Sequence, residues 1–212
     1  MRDFAPITML ANGPLILAVH AALPASTVQE LVALSHARNG KVNCGSAGVG
    51  TATHFAQVLF NLKTKARTTH VPFKGAPESV IAVAGSEIDM SFPGIPATLP
   101  HIDSGKVRVL AVSSARRASL LPNVPTLDEA GARGYELVSW YGVAAPAAVP
   151  GSIISRLNAA IGKAINAPDM KASLVKQGFE PLTNSPTEFR AFLVREIAQG
   201  VELVKAAGLT AN

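Results

Sequence analysis

Residues 41 to 62 constrain the fold most, because a strand, a glycine-rich loop and a helix follow one another without a linker. Residues 41–44 read as a short strand. Gly45-Ser46-Ala47-Gly48-Val49-Gly50-Thr51 follows, and Phe55, Val58, Leu59 and Leu62 then recur at helical spacing. A strand that feeds a helix directly belongs to a sheet with helices on its faces. The glycines let the backbone approach a ligand closely. Ser46, Thr51 and Thr53 add neutral hydroxyls, and the N–H groups at a helix start favour an anion. The loop spells G-x-x-G-x-G. That is neither the dinucleotide fingerprint nor a P-loop, since no Gly-Lys-Ser/Thr follows. Two readings stay open here: an anion-binding loop, or a strand-to-helix turn in which Gly and Ser serve the backbone alone.

The same alternation continues on both sides. Ser26 as N-cap, with Gln29 at the capping-box position, opens a helix that buries Val28, Leu31, Val32 and Leu34 and ends at Asn39-Gly40. Residues 69–73, 88–92 and 107–112 read as strands, with helices starting after Lys74-Gly75-Ala76 and near Thr98. Upstream, residues 7–10 and 15–20 read as two strands joined by a turn at Asn12-Gly13-Pro14. The expectation is a mainly parallel sheet covered on both faces. Ligands bind at the carboxyl ends of such strands. The loops at 46–51, 74–76 and 92–95 should therefore converge. Residues 136–144 are extended and carry Trp140 and Tyr141. Pro146, Pro150 and Gly151 mark a boundary, and three helices follow over 152–166, 169–177 and 186–207.

Composition removes several function classes. A length of 212 residues suits one large domain or two small ones. A chain with 48% hydrophobic and 16% charged residues is globular rather than disordered. The net charge of +5 is scattered and aromatics make up 5%, so no stacking platform for nucleic acid is present. The single cysteine, Cys44, excludes a disulfide framework and a cysteine zinc site, and it reads as a small buried residue. The five histidines show no metal-ligand spacing, and no cofactor motif is found. A hydrolase using Ser46 or Cys44 is the enzymatic alternative. It lacks a G-x-S-x-G elbow and a carboxylate pair. No helix-turn-helix is visible, and no apolar run is long enough to span a membrane. Residues 7–24 read better as two strands than as a signal peptide, since Asp3 and Pro6 precede the run and Asn12-Gly13-Pro14 breaks it.

A set of landmarks occurs in one order along the chain: Asp3-Phe4-Ala5-Pro6-Ile7-Thr8; the loop from Gly45 to Thr51 with His54; Val71-Pro72-Phe73-Lys74-Gly75; Ile88-Asp89; Leu99-Pro100-His101-Ile102 with Gly105-Lys106-Val107; Leu121-Pro122-Asn123-Val124-Pro125; Gly134-Tyr135-Glu136; and Trp140-Tyr141-Gly142. That ordered set resembles the Bug/TctC family, the solute receptors of tripartite tricarboxylate transporters. The resemblance implies an α/β fold of the periplasmic binding protein type II kind. One lobe, with a parallel or mixed sheet, would be complete over residues 11–138. Residues 1–10 and 139–212 would supply hinge segments and an incomplete second lobe of mainly C-terminal helices. The resemblance also implies a periplasmic location, a small carboxylate or related metabolite as ligand, membrane transporter subunits as partners, and no catalysis. The ligand contacts expected are Ser46, Ala47, Gly48, Gly50 and Thr51, with His54, Phe73, Lys74 and Phe92 beside them. Trp140 and Tyr141 are expected to pack the hinge, and Asp89 to cap a strand end.

Two departures from the family shape the expectation. Its opening segment, with a Pro-Gly-Gly-rich ligand loop, has no counterpart here. The chain is therefore expected to be truncated relative to the family, with helix faces after about residue 145 left without a partner. A homo-oligomer through that partial lobe, or a degenerate paralogue without binding, are the alternatives. Second, the family often carries Phe-Asp-Asn where this chain has Phe92-Pro93-Gly94. No carboxylate faces a ligand amine there, so a simple carboxylate or a neutral acid derivative is expected rather than an amino acid.

Overall fold

The computed structural model describes residues 2–209. The chain divides into two compact units, a smaller one of Met1–Gly13 with Ser139–Glu202 and a larger one of Pro14–Val138 with Leu203–Asn212. Strand β1 (Phe4–Pro14) continues through Leu15 into β2 (Ile16–His20). The expected turn at Asn12-Gly13-Pro14 is absent. The residues on its two sides pair in different sheets, so nothing folds the chain back there.

In the larger unit, β2 is followed by α1 (Val28–Ala37), β3 (Val42–Ser46), α2 (Ala52–Thr64), β4 (Thr68–Pro72), α3 (Ala76–Ala84), β5 (Met90–Ser91), α4 (Ile95–Asp103) and β6 (Val107–Val112). The sheet order is β4-β3-β5-β2-β6. β3 pairs with β4 and β5 in parallel, whereas β2 pairs with β5 and β6 antiparallel. The sheet is thus mixed rather than mainly parallel, because the incoming β2 lies between β5 and β6 against their direction. Its residues alternate between two cores, as strand geometry requires. Leu17 and Val19 join α1 and α2 on one face, with Val28, Leu31, Ala56, Leu59 and Phe60. Ile16 and Ala18 join α3 and α4 on the other, with Ala82, Val83 and Ile95. Both faces are covered, as the alternation predicts.

The cap of α1 differs by one residue from the sequence reading. Thr27 is the N-cap and accepts from Glu30 N, while Glu30 Oε2 accepts from Ser26 N at 2.6 Å. Asp89 does serve as a strand-end brace. It accepts from Asn43 N at 2.8 Å and pairs with Arg38 at 2.9 Å.

The smaller unit holds β1, β7 (Val138–Pro146), α5 (Gly151–Ile165), α6 (Pro168–Lys176), β8 (Glu180–Pro181) and α7 (Pro186–Ala206). The three helices stand where the sequence places them. The sheet order is β7-β1-β8. Asn158 Nδ2 donates to Ile7 O and Asn184 O, tying α5 to β1 and to the segment before α7. Ile153 and Leu157 on α5, and Val194, Ile197 and Val201 on α7, form exposed apolar rows at helical spacing.

Candidate functional site

The site begins where β3 ends. β4, β3 and β5 are neighbours and run in parallel, so their carboxyl ends lie along one edge of the sheet. The loops after β3 and β4 meet there: Phe73 N donates to Ser46 O at 2.9 Å. Gly45 permits this packing, since a Cβ at that position would lie 2.5 Å from Ile88 Cδ1 and 3.2 Å from Phe73 Cε2. The loop itself needs glycine twice, at Gly48 (φ +121°) and Gly50 (φ +78°).

The loop is wired from inside. Ala47 N donates to Thr53 Oγ1 at 2.8 Å. Thr51 Oγ1 donates to Gly48 O at 2.7 Å and shares a 2.9 Å hydrogen bond with Thr53 Oγ1. With Thr51 donating to Gly48, Thr53 must donate to Thr51, and both hydroxyl protons are spent. Gly48 N donates to Ser46 Oγ at 3.1 Å. Ser46 Oγ also lies 2.6 Å from His70 Nε2. Gly50 N donates to His54 Nδ1 at 3.1 Å.

This wiring changes the expected roles. Ser46 is fully buried with its hydroxyl engaged, so it shapes the loop instead of offering a hydroxyl to a ligand. Thr51 is the N-cap of α2 and accepts from His54 N. His54 is buried and braces Gly50. Phe92 is corrected outright. Its ring lies in the core at 0% exposure, beside Phe60 and Tyr135, so it presents no surface to a ligand. Phe73 is half-buried against Gly45. Lys74 is exposed, and its ammonium forms no ion pair among the described residues. Ala47 and Gly48 are partly exposed and Gly50 is exposed. What remains unclaimed are the amides of Val49, Ala52 and Thr53, which have no hydrogen-bond partner among the described residues. They lie in the loop and the first turn of α2, where the helix dipole is positive.

His70 is the residue that sequence reasoning missed. In the parallel register it stands opposite Cys44, on the face that also carries Ser46 two residues on. Its ring stacks on His54 at a centroid distance of 3.9 Å and 18° between planes. Burial lowers the pKa of His54 below its ordinary 6.5. Burial, and then repulsion from His54, lowers that of His70. Both rings are neutral at pH 7, and Nδ1 of His54 carries the lone pair that Gly50 needs. Below pH 6.5 the unfolded chain binds protons that the folded rings resist. Their contribution is fully present above that value and is lost as the pH falls through the folded-state pKa. Ligand-free thermal melts are expected to hold above about pH 6.5 and to drop below it. A variant lacking both rings should flatten that drop. A melting temperature that rises through the same window would overturn this.

Neither nucleophile of the hydrolase alternative is activated. Cys44 is fully buried, and burial pushes its thiol pKa far up, leaving it protonated and inert. Ser46 contacts His70, but no carboxylate contributes to the pKa of that imidazole. A second serine–histidine contact joins Ser86 Oγ to His20 Nε2. There His20 Nδ1 accepts from Ala22 N, so Nε2 carries the proton and cannot act as a base toward Ser86. Among the described residues no cluster of His, Cys, Asp or Glu is suited to a metal ion.

Comparison with known proteins concerns the family and the fold. A family model described as "Tripartite tricarboxylate transporter family receptor" matches residues 1–209. Protein BugT of Bordetella pertussis is 30% identical over 208 residues, which is 98% of this chain and 64% of BugT. The chain therefore spans less than two thirds of the length of that relative. Among solved structures, R. palustris Rpa4515 with adipate superposes with a TM-score of 0.81 at 31% identity, covering 98% of this chain and 70% of that one. MatC from Rhodopseudomonas palustris with bound malate gives a TM-score of 0.75 at 26% identity, covering 95% of this chain and 69% of that one.

Proposed function

We infer that this chain, which belongs to the tripartite tricarboxylate transporter receptor family, captures a small carboxylate against the loop between β3 and α2. The observation that carries the reading is the set of unclaimed amides at Val49, Ala52 and Thr53. A carboxylate has two oxygens to accept from them, and the start of α2 adds partial positive charge without a bound counter-ion. Gly48 and Gly50 add no side chain to that surface, and Val49 between them presents an exposed apolar one. Ala47 and Thr51 flank it, and Phe73 and Lys74 supply an apolar edge and an exposed cation on the neighbouring loop. The ligands of the related structures, adipate and malate, are dicarboxylates. We assign this chain the same ligand class, a periplasmic setting, and a membrane transporter as recipient. Binding rather than catalysis is the role we assign, in line with the receptor family, and the buried Cys44 thiol is held protonated.

The sequence Phe92-Pro93-Gly94 refines the class. No side-chain carboxylate stands there for an ammonium group, so acids without an amine are preferred. At a concentration of roughly a hundred times Kd, a bound dicarboxylate adds about 2.7 kcal/mol of stability, a rise of roughly 5–10 °C in Tm. Adipate, malate and succinate are the probes, with aspartate as the amine-bearing control. A melting temperature unmoved by every acid would remove the reading. Selective binding of aspartate over succinate in calorimetry would remove its refinement.

A further inference from the structure

We propose that His54 and His70 are the positioning residues of this binding loop, holding its amides in place through their ring nitrogens without touching the ligand. The inference rests on the receptor reading for its consequence, but its geometry stands alone. A loop with two glycines in the positive-φ region has little conformational preference of its own, and fixing it costs backbone entropy. Its internal hydrogen bonds tie Ala47, Gly48 and Thr51, and leave the Gly50 amide and the Ser46 hydroxyl to be held by side chains from α2 and β4. Two of its glycine amides are held by groups that lead back to the two rings. Gly50 N donates to His54 Nδ1 at 3.1 Å. Gly48 N donates to Ser46 Oγ at 3.1 Å, and that hydroxyl is itself fixed by His70 Nε2 at 2.6 Å.

The rings brace one another. They stack at 3.9 Å, one from α2 and one from β4, so neither can rotate without disturbing the other. The braced pair is the loop-side end of a polar seam. Gln57, one helical turn after His54, donates to Thr68 Oγ1 at 2.8 Å, and Thr68 donates to Asn61 Oδ1 at 3.0 Å. Gln57 Oε1 is buried there without a partner among the described residues. An apolar seam would be more stable than a partly satisfied polar one. The polar seam is accounted for by its task, which is to carry two hydrogen-bonding rings to the loop. Once Gly48 and Gly50 are tied inward, Val49 N is the loop amide left without a partner among the described residues, beside the free amides of Ala52 and Thr53.

Paired variants of the whole chain test this. His54→Leu and His70→Leu keep side-chain bulk but remove the ring nitrogens. His54→Asn returns an acceptor near the position of Nδ1, and His70→Gln returns a polar group near that of Nε2. Two readouts are taken: amide hydrogen exchange of the ligand-free protein, and affinity for adipate by calorimetry. In the leucine variants, exchange at Gly48 and Gly50 should speed up by about tenfold or more, and adipate affinity should fall by a similar factor. The Asn and Gln variants should restore both to within about threefold of the parent. If a leucine variant fails to fold, the matching Asn or Gln variant still decides. Normal exchange there supports the proposal, and fast exchange overturns it. Unchanged exchange in the leucine variants also overturns it. If the parent binds no dicarboxylate, the receptor reading fails, and the exchange readout still judges the positioning role.

Discussion

Replacing Phe92 by alanine is expected to destabilise the larger unit by about 3–5 kcal/mol, the usual cost of deleting a buried phenyl ring. The ring is completely enclosed. It lies 5.8 Å from the Phe60 ring and 6.5 Å from the Tyr135 ring, centroid to centroid. Tyr135 is fixed in turn, since its hydroxyl donates to Ala56 O on α2 at 2.9 Å. Tyr135 cannot move into the space without straining that hydrogen bond, which favours the upper end of the range. At about 2–4 °C per kcal/mol for a chain of this size, Tm should fall by roughly 10 °C or more. The check is a ligand-free melt followed by circular dichroism. A side chain serving only as a ligand contact would behave oppositely, with an unchanged melt and lost affinity. A change in stability below about 0.5 kcal/mol would remove Phe92 from the core assignment.

Phe92 marks the limit of what a sequence shows. It follows a strand and precedes a Pro-Gly loop, and both facts place it near the carboxyl edge of the sheet. Neither fixes the direction of its side chain. That direction follows from β5 lying between β3 and β2, a pairing that no local pattern encodes. The strand–loop–helix at residues 42–64 was legible because a short apolar run, glycines and an amphipathic stretch are local signals. The same holds for β6 and the three C-terminal helices. β8 was not legible, since Glu180-Pro181 offers two residues and no alternation.

The rotation of α2 departs from its apolar spacing for a related reason. Apolar spacing selects Phe55, Val58, Leu59 and Leu62. In the fold Leu62 is exposed, and the buried positions include Thr53, His54 and Gln57. β4 turns Thr68 and His70 toward the helix, and a polar strand face is matched by a polar helix face. Periodicity rewards apolar burial and is blind to polar groups that satisfy one another across elements. The site inherits that blindness. The loop glycines were found as glycines, whereas the histidine that fixes Ser46 lies on another strand, 24 residues away. Hydroxyls that look available in sequence are consumed within the loop, and backbone amides that a sequence cannot display remain open.

Replacing Phe189 by alanine is expected to unfold the smaller unit at a temperature where the parent is intact. Among its described residues the buried apolar side chains are Pro6, Ile7, Met9, Ala11, Ile154 and Phe189, and Phe189 is the one aromatic. A unit with so small a core has little stability to lose. The Phe189 ring meets Trp140 edge-on at 5.9 Å and lies 6.4 Å from Phe192, which is also edge-on to Trp140 at 5.5 Å. It also fills the space over Gly142 that a Cβ would need, so that glycine and the ring form a matched pair on β7 and α7. Losing the ring should cost about 3–5 kcal/mol, a large share of what a unit of this size holds. The chain carries a single tryptophan, so fluorescence reports this unit directly. Trp140 Nε1 donates to Glu196 Oε2 at 2.9 Å, and rupture of that contact with α7 should shift the emission to the red. The expected signature is an early tryptophan transition, with the circular dichroism of the larger unit's sheet persisting to higher temperature. Coincident transitions at the parental temperature would show that Phe189 does not hold the smaller unit together.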